Sequence, residues 1–144
     1  MHPRPTYDDA NLILRLYEMR RDDRLRQARA WFMFKCKGVQ SFDDLMKLAG
    51  PGTEENASYR MVVTYWDLVA SFIVSGILHK ELFFQSGREL LLVWERVRDF
   101  LPSMREAYKD PGYLKNLETV GLDFAAFWKA QGPEGYEAFL KRVK

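Results

Sequence analysis

The run from Val62 to Leu78 most constrains what this chain can fold into: it is almost wholly apolar, and Asp67 is its only charge. Val62, Trp66, Val69, Ile73 and Ile77 recur at helical spacing, and Val63, Ala70, Val74 and Leu78 form a second stripe. A helix apolar on most sides is either buried or a membrane span. A span needs about 20 apolar residues, and this run is shorter and contains a carboxylate. It predicts a buried central helix.

Ser75-Gly76 should end that helix, because glycine is costly in a helix interior. Beyond it, Phe83, Gly87, Leu90, Leu91, Trp94, Val97 and Leu101 form another stripe, with Arg88, Glu95, Arg96 and Asp99 on the opposite face. The expected centre is an antiparallel helix pair, about 59–75 and 80–101. Gly87 on the apolar stripe would either let a neighbouring backbone come close or simply mark a defect in the helix. An unpaired buried carboxylate costs several kcal/mol, so Asp67 should reach solvent, be protonated or be paired. Arg88, Arg60, Tyr65 and Tyr108 are its candidate partners.

The rest of the chain reads as further helices, seven to eight in all, with no alternating stretch long enough for a strand. Thr6 or Asp8 should cap the first, whose apolar face is Leu12, Ile13, Leu16, Tyr17 and Met19. Asp22 or Asp23 should cap a second, running to about Lys37 before Gly38. Ser41 opens a short third, and Thr53 or Asn56 starts the central pair. Pro102 should kink the helix that precedes it. Asp110-Pro111-Gly112 is a turn. Gly121 should close a short helix, Asp123 cap the next, and Gly132-Pro133 precede the last. The expectation is an all-α single domain over residues 1–144, with a loose lead at 1–6 and aromatic C-terminal helices at 122–144 packing on the bundle.

Composition narrows function by exclusion. With 47% apolar and 29% charged residues, the chain is globular rather than disordered. A net charge of +2 does not by itself point to a polyanion partner. The single cysteine, Cys36, allows no intrachain disulfide and fits a reducing cytoplasm. Met1-His2-Pro3-Arg4-Pro5 precedes no apolar stretch, so neither a signal peptide nor an anchor is expected.

No metal-ligand spacing links His2 or His79 to other ligands, so no metal and no cofactor is expected. His79, in the turn of the central pair, reads as a surface or cap residue. Cys36 lies on an apolar helical stripe, where cysteines are usually inert, which argues against a Cys36–His79 dyad. Asp8-Asp9, Asp22-Asp23 and Asp43-Asp44 fall where helices begin, and capping accounts for them. Between Leu12 and Lys37 stand eight Lys/Arg against three acids, interleaved with Trp31, Phe32 and Phe34. Arg24, Arg26 and Arg29 point in different directions around a helix, so a solvated rim is favoured over a nucleic-acid or anionic-surface stripe.

The chain resembles a family of bacterial all-helical domains of unknown function, many of whose members carry a membrane-spanning segment just before the domain. The likeness runs over roughly residues 8 to 121. It rests on Leu12-Ile13-Leu14-Arg15-Leu16-Tyr17, on Arg24 through Trp31, on Tyr65-Trp66-Asp67-Leu68-Val69 and on Ser75-Gly76-Ile77-Leu78. Gly87, Leu92-Val93-Trp94-Glu95, Arg105 and Tyr113-Leu114 complete it. The chain is expected to depart from that type in having no anchor and in adding the aromatic tail after Gly121. The resemblance implies the fold and no activity.

The expected function is therefore a cytoplasmic, non-catalytic module for protein interaction or self-association. Its contact would be made by the tail aromatics Phe127, Trp128, Tyr136 and Phe139 or by the Arg-rich first helices. An alternative is a small-ligand cleft near Asp67, Arg88, Trp94 and Glu95. A weak nucleic-acid contact through the basic helices is the third reading, and no membrane span is expected.

Overall fold

The computed structural model describes residues 4–144 and shows nine α-helices and no strand among them. Met1–Pro3, which include His2 and the start of the expected loose lead, lie outside the described residues. The helices are α1 (Tyr7–Met19), α2 (Asp23–Phe34), α3 (Phe42–Leu48), α4 (Glu54–Val74), α5 (Lys80–Phe84), α6 (Arg88–Val97), α7 (Leu101–Tyr108), α8 (Lys115–Gln131) and α9 (Pro133–Val143). The all-helical prediction holds.

Helix starts follow the polar caps. Thr6 and Asp9 form a capping box on α1, in which the Thr6 N–H donates to Asp9 Oδ2 at 2.8 Å. Asp22 accepts from Leu25 N–H at 3.1 Å to open α2, Ser41 from Asp44 N–H at 3.0 Å to open α3, and Thr53 from Asn56 N–H at 3.1 Å to open α4. Each such cap contributes about 1 kcal/mol. Two of the acidic pairs, Asp8-Asp9 and Asp43-Asp44, lie in first turns; in the third, Asp22 is the cap itself and Asp23 the first residue after it.

The second half of the expected pair differs, because it consists of α5, α6 and α7. The chain leaves the helix at Gln85–Gly87 and again at Arg98–Phe100. A Cβ at Gly87 would overlap the Phe83 ring, so the glycine admits an aromatic side chain rather than a backbone. Pro102 does not kink a long helix; it sits in the first turn of the new helix α7, where its missing N–H costs nothing. Gly121 is likewise not a stop. It lies inside α8, and a Cβ there would overlap the Trp94 ring, so it notches α8 to receive an indole from α6.

The long helix α4 is flanked by α2 and α8, its two most extensive contacts, while α6 packs on α8 and α9. The segment Leu90–Val97 of α6 is buried throughout, Glu95 and Arg96 included. Of the expected polar face, Glu95 and Arg96 are therefore enclosed, by α9 and the end of α2, while Arg88 and Asp99 stay exposed. Removing apolar surface from water supplies roughly 25 cal/mol per Å2, and the core draws it from all nine helices. No helix among the described residues is long and apolar enough to cross a membrane.

Candidate functional site

Asp67 sits half-buried on α4, and its partner is none of the side chains expected. The backbone N–H of Leu117, in the first turn of α8, donates to Asp67 Oδ1 at 2.9 Å. Residue Leu114 occupies the cap position of α8 with φ of 55° and no side-chain acceptor, so the carboxylate from α4 serves as the missing cap. Burial, first, raises the Asp67 pKa above the ordinary 3.8, and the N–H groups of Leu117 and Asn116 pull it back in part.

The other residues of the expected cleft point to different neighbours. Arg88 is exposed and stacks over Trp128 at 4.2 Å from the ring centroid. Trp94 fills the Gly121 notch under the Arg98 guanidinium, 5.3 Å from its ring. Glu95 is 2% exposed. It accepts from Arg98 Nη1 at 3.3 Å on both oxygens and from the Tyr136 hydroxyl. No hydrogen bond or ion pair among the described residues joins Asp67 to Arg88, Trp94 or Glu95.

The densest charge cluster forms instead around Glu89, which the sequence did not single out. Arg29 grips it with two bonds, Nε to Oε2 at 2.7 Å and Nη2 to Oε1 at 2.8 Å. Arg20 Nη2 adds a third at 3.2 Å and the Trp66 indole a fourth at 3.3 Å. Burial alone would raise the Glu89 pKa; the Arg29 hydrogen bonds and the Arg29 and Arg20 charges outweigh it and leave the carboxyl below the ordinary 4.5. Arg29 Nη1 also donates to the Arg20 carbonyl at 3.3 Å, so one carboxylate ties α1, α2, α4 and α6 together. The adjoining cavity, lined by Leu16, Arg20, Trp66, Phe83 and Gly87 among others, measures about 20 Å3. That is room for one water molecule, far below the roughly 300–1,000 Å3 of small-molecule sites.

The tail aromatics turn inward. Tyr136 and Phe139 are buried and Phe127 and Trp128 half-buried. Trp128 packs against Phe139 with ring centroids 4.8 Å apart, so Tyr136 and Phe139 belong to the core of this chain and offer little surface to another. Half of the eight basic residues between Leu12 and Lys37 are in ion pairs: besides Arg20 and Arg29, Arg24 reaches Glu54 at 3.4 Å and Arg26 reaches Asp23 at 3.9 Å. Cys36 is buried and burial pushes its thiol up to about 11, the opposite of an activated nucleophile. His79 caps α5, its Nδ1 accepting from Leu82 N–H at 3.1 Å.

Surface suited to a partner lies along α4. Met61, Thr64, Tyr65 and Leu68 occupy one helical face at i, i+3, i+4 and i+7. With Met19, Asp22 and Leu25 from the α1–α2 corner they line an open groove of about 480 Å3. At its rim Met19 is 43% and Leu68 45% exposed. The sequence shows these apolar residues and, in the cap expected at Asp22 or Asp23, the break between α1 and α2, but not that this corner opens a groove beside them.

Compared with known proteins, the chain matches the family described as a domain of unknown function, DUF4760, over residues 5–123. The protein belongs to that family, and α9 lies outside the matched segment. No curated protein and no solved structure matches it.

Proposed function

We propose that this protein is a non-catalytic interaction module that docks a partner helix in the groove along α4, and that the simplest partner is a second copy of the chain. The observation that carries the reading is the α4 face Met61, Thr64, Tyr65 and Leu68, whose spacing is that of helix-in-groove recognition. Groove and exposed apolar rim stand on one surface, the arrangement in which a two-fold contact sets each rim against the other copy's groove. Paired methionines at such a surface adapt readily to a partner's shape. The patch is small, which favours weak, reversible association, since stable interfaces bury about 1,200–2,000 Å2. The single, undisulfided Cys36 supports a cytoplasmic setting.

Sedimentation velocity on the whole chain and on Leu68→Glu and Met19→Glu tests the reading. The parent should sediment faster as concentration rises toward about 1 mM, and both variants should remain monomeric. A parent that is monomeric throughout, or variants that associate as it does, would overturn self-association through this groove.

A further inference from the structure

We infer that the cavity between the α2–α3 loop, the end of α6 and the end of α9 is a binding site for a small oxyanion, a carboxylate or phosphate group received by Arg96.

Arg96 is 6% exposed, yet no carboxylate pairs with it among the described residues. Its Nε donates to the Val143 carbonyl at 2.6 Å and its Nη1 to the Phe32 carbonyl. These oxygens, from the last turns of α9 and α2, satisfy two donors with partial charge. The outer nitrogen, Nη2, makes no hydrogen bond among the described residues. Arginine stays charged in proteins, and a buried charge is costly unless paired. Every other buried or half-buried arginine discussed above has a carboxylate: Arg20 and Arg29 have Glu89. Burial pushes the Arg96 pKa down, and the group that pulls it back is the Cys36 thiol, not a carboxylate.

Arg96 lines a cavity of about 280 Å3 together with Gly38, Val39, Gln40, Asp99 and Lys144. The one acid there is already engaged, since Lys144 Nζ contacts Asp99 Oδ2 at 2.9 Å. The Asp99–Lys144 pair is neutral, so the surplus positive charge of the cavity is that of Arg96. Nη2 is left to donate to an oxygen of a carboxylate or phosphate, a charge-assisted hydrogen bond, and Gln40 is a further polar residue of the lining. The site lies apart from the α4 groove and shares no residue with it.

The test is a titration of the 15N-labelled whole chain with inorganic phosphate and, separately, sodium acetate, each against sodium chloride at equal ionic strength. We expect saturable amide shifts centred on Gly38, Val39, Gln40 and Lys144 with at least one oxyanion and none with chloride. Saturation by phosphate alone assigns a phosphate group, and by acetate alone a carboxylate. Because Arg96 also joins α2 to α9, its substitution threatens the fold; the exposed pair is substituted instead. Asp99→Asn should tighten and Lys144→Ala weaken binding by about two- to fivefold, the scale of an exposed charge contact. Absence of saturation up to about 50 mM of either oxyanion, or affinities unmoved in both variants, would leave Arg96 as a purely structural tie and overturn the inference.

Discussion

Asp67 on α4 and Leu117 on α8 are joined by a hydrogen bond in which the Leu117 N–H donates to Asp67 Oδ1 at 2.9 Å, so one helix caps another that lacks a cap of its own. This bond fixes where α8 begins along α4. That in turn sets Gly121 opposite Trp94.

Asp67→Ala removes the acceptor and leaves a helix-start N–H without its partner. The expected loss is about 1–3 kcal/mol in urea denaturation. Asp67→Asn keeps an acceptor and drops a charge that burial disfavours, so it should cost clearly less. Equal losses for the two variants would contradict the capping role.

Gly121→Ala offers a sharp contrast between local and tertiary effects. Helix propensity alone favours alanine by about 1 kcal/mol in a helix interior. The Trp94 ring occupies the space of the new methyl, and overpacking of that kind costs about 1–3 kcal/mol. The variant should be less stable and show altered tryptophan emission. A stabilised variant would mean that the notch does not hold the indole.

Tyr136→Phe deletes the hydroxyl that donates to buried Glu95. A hydrogen bond to a charged group contributes about 1.5–3 kcal/mol, and the loss should appear in denaturation midpoints with the helix content of the folded state unchanged. A neutral substitution would show that Arg98 alone satisfies the carboxylate.

The Glu89 cluster gives stability a definite pH dependence. The folded-state pKa of Glu89 is depressed below 4.5, so its contribution is complete above 4.5 and is lost as pH falls through the folded value. Glu89→Gln should be less stable than the parent at pH 7, and the gap should close on acidification. A gap that stays constant from pH 7 to about pH 3 would contradict the depressed value.

The sequence made the helices legible because their starts rest on local chemistry. Thr6, Asp22, Ser41 and Thr53 announce themselves by residue type, and each caps the helix expected of it. Glycines were misread for the same reason. Gly121 looks like local punctuation, but its cause is the Trp94 ring arriving from α6, while Gly87, read as a place for a backbone, makes room for the ring of Phe83 four residues earlier. The buried charges were also hidden. Glu95 and Arg96 have the spacing of a solvent face, and only the docking of α9 and the end of α2 encloses them. The surplus of tail aromatics was the available signal, since Tyr136 and Phe139 needed a surface to cover. Glu89 carries no local mark at all, because its partners Arg20, Arg29 and Trp66 come from three other parts of the chain.

The docking groove is probed most directly by methyl NMR of labelled methionine across a concentration series of the whole chain. Met19 and Met61 line the groove, whereas Met104 is fully buried away from it. The Met19 and Met61 methyl signals should shift progressively with concentration while that of Met104 stays fixed. If all three are unchanged across the series, or if the signals at the groove alone stay still while the chain associates, the groove along α4 is not where this protein meets a second copy.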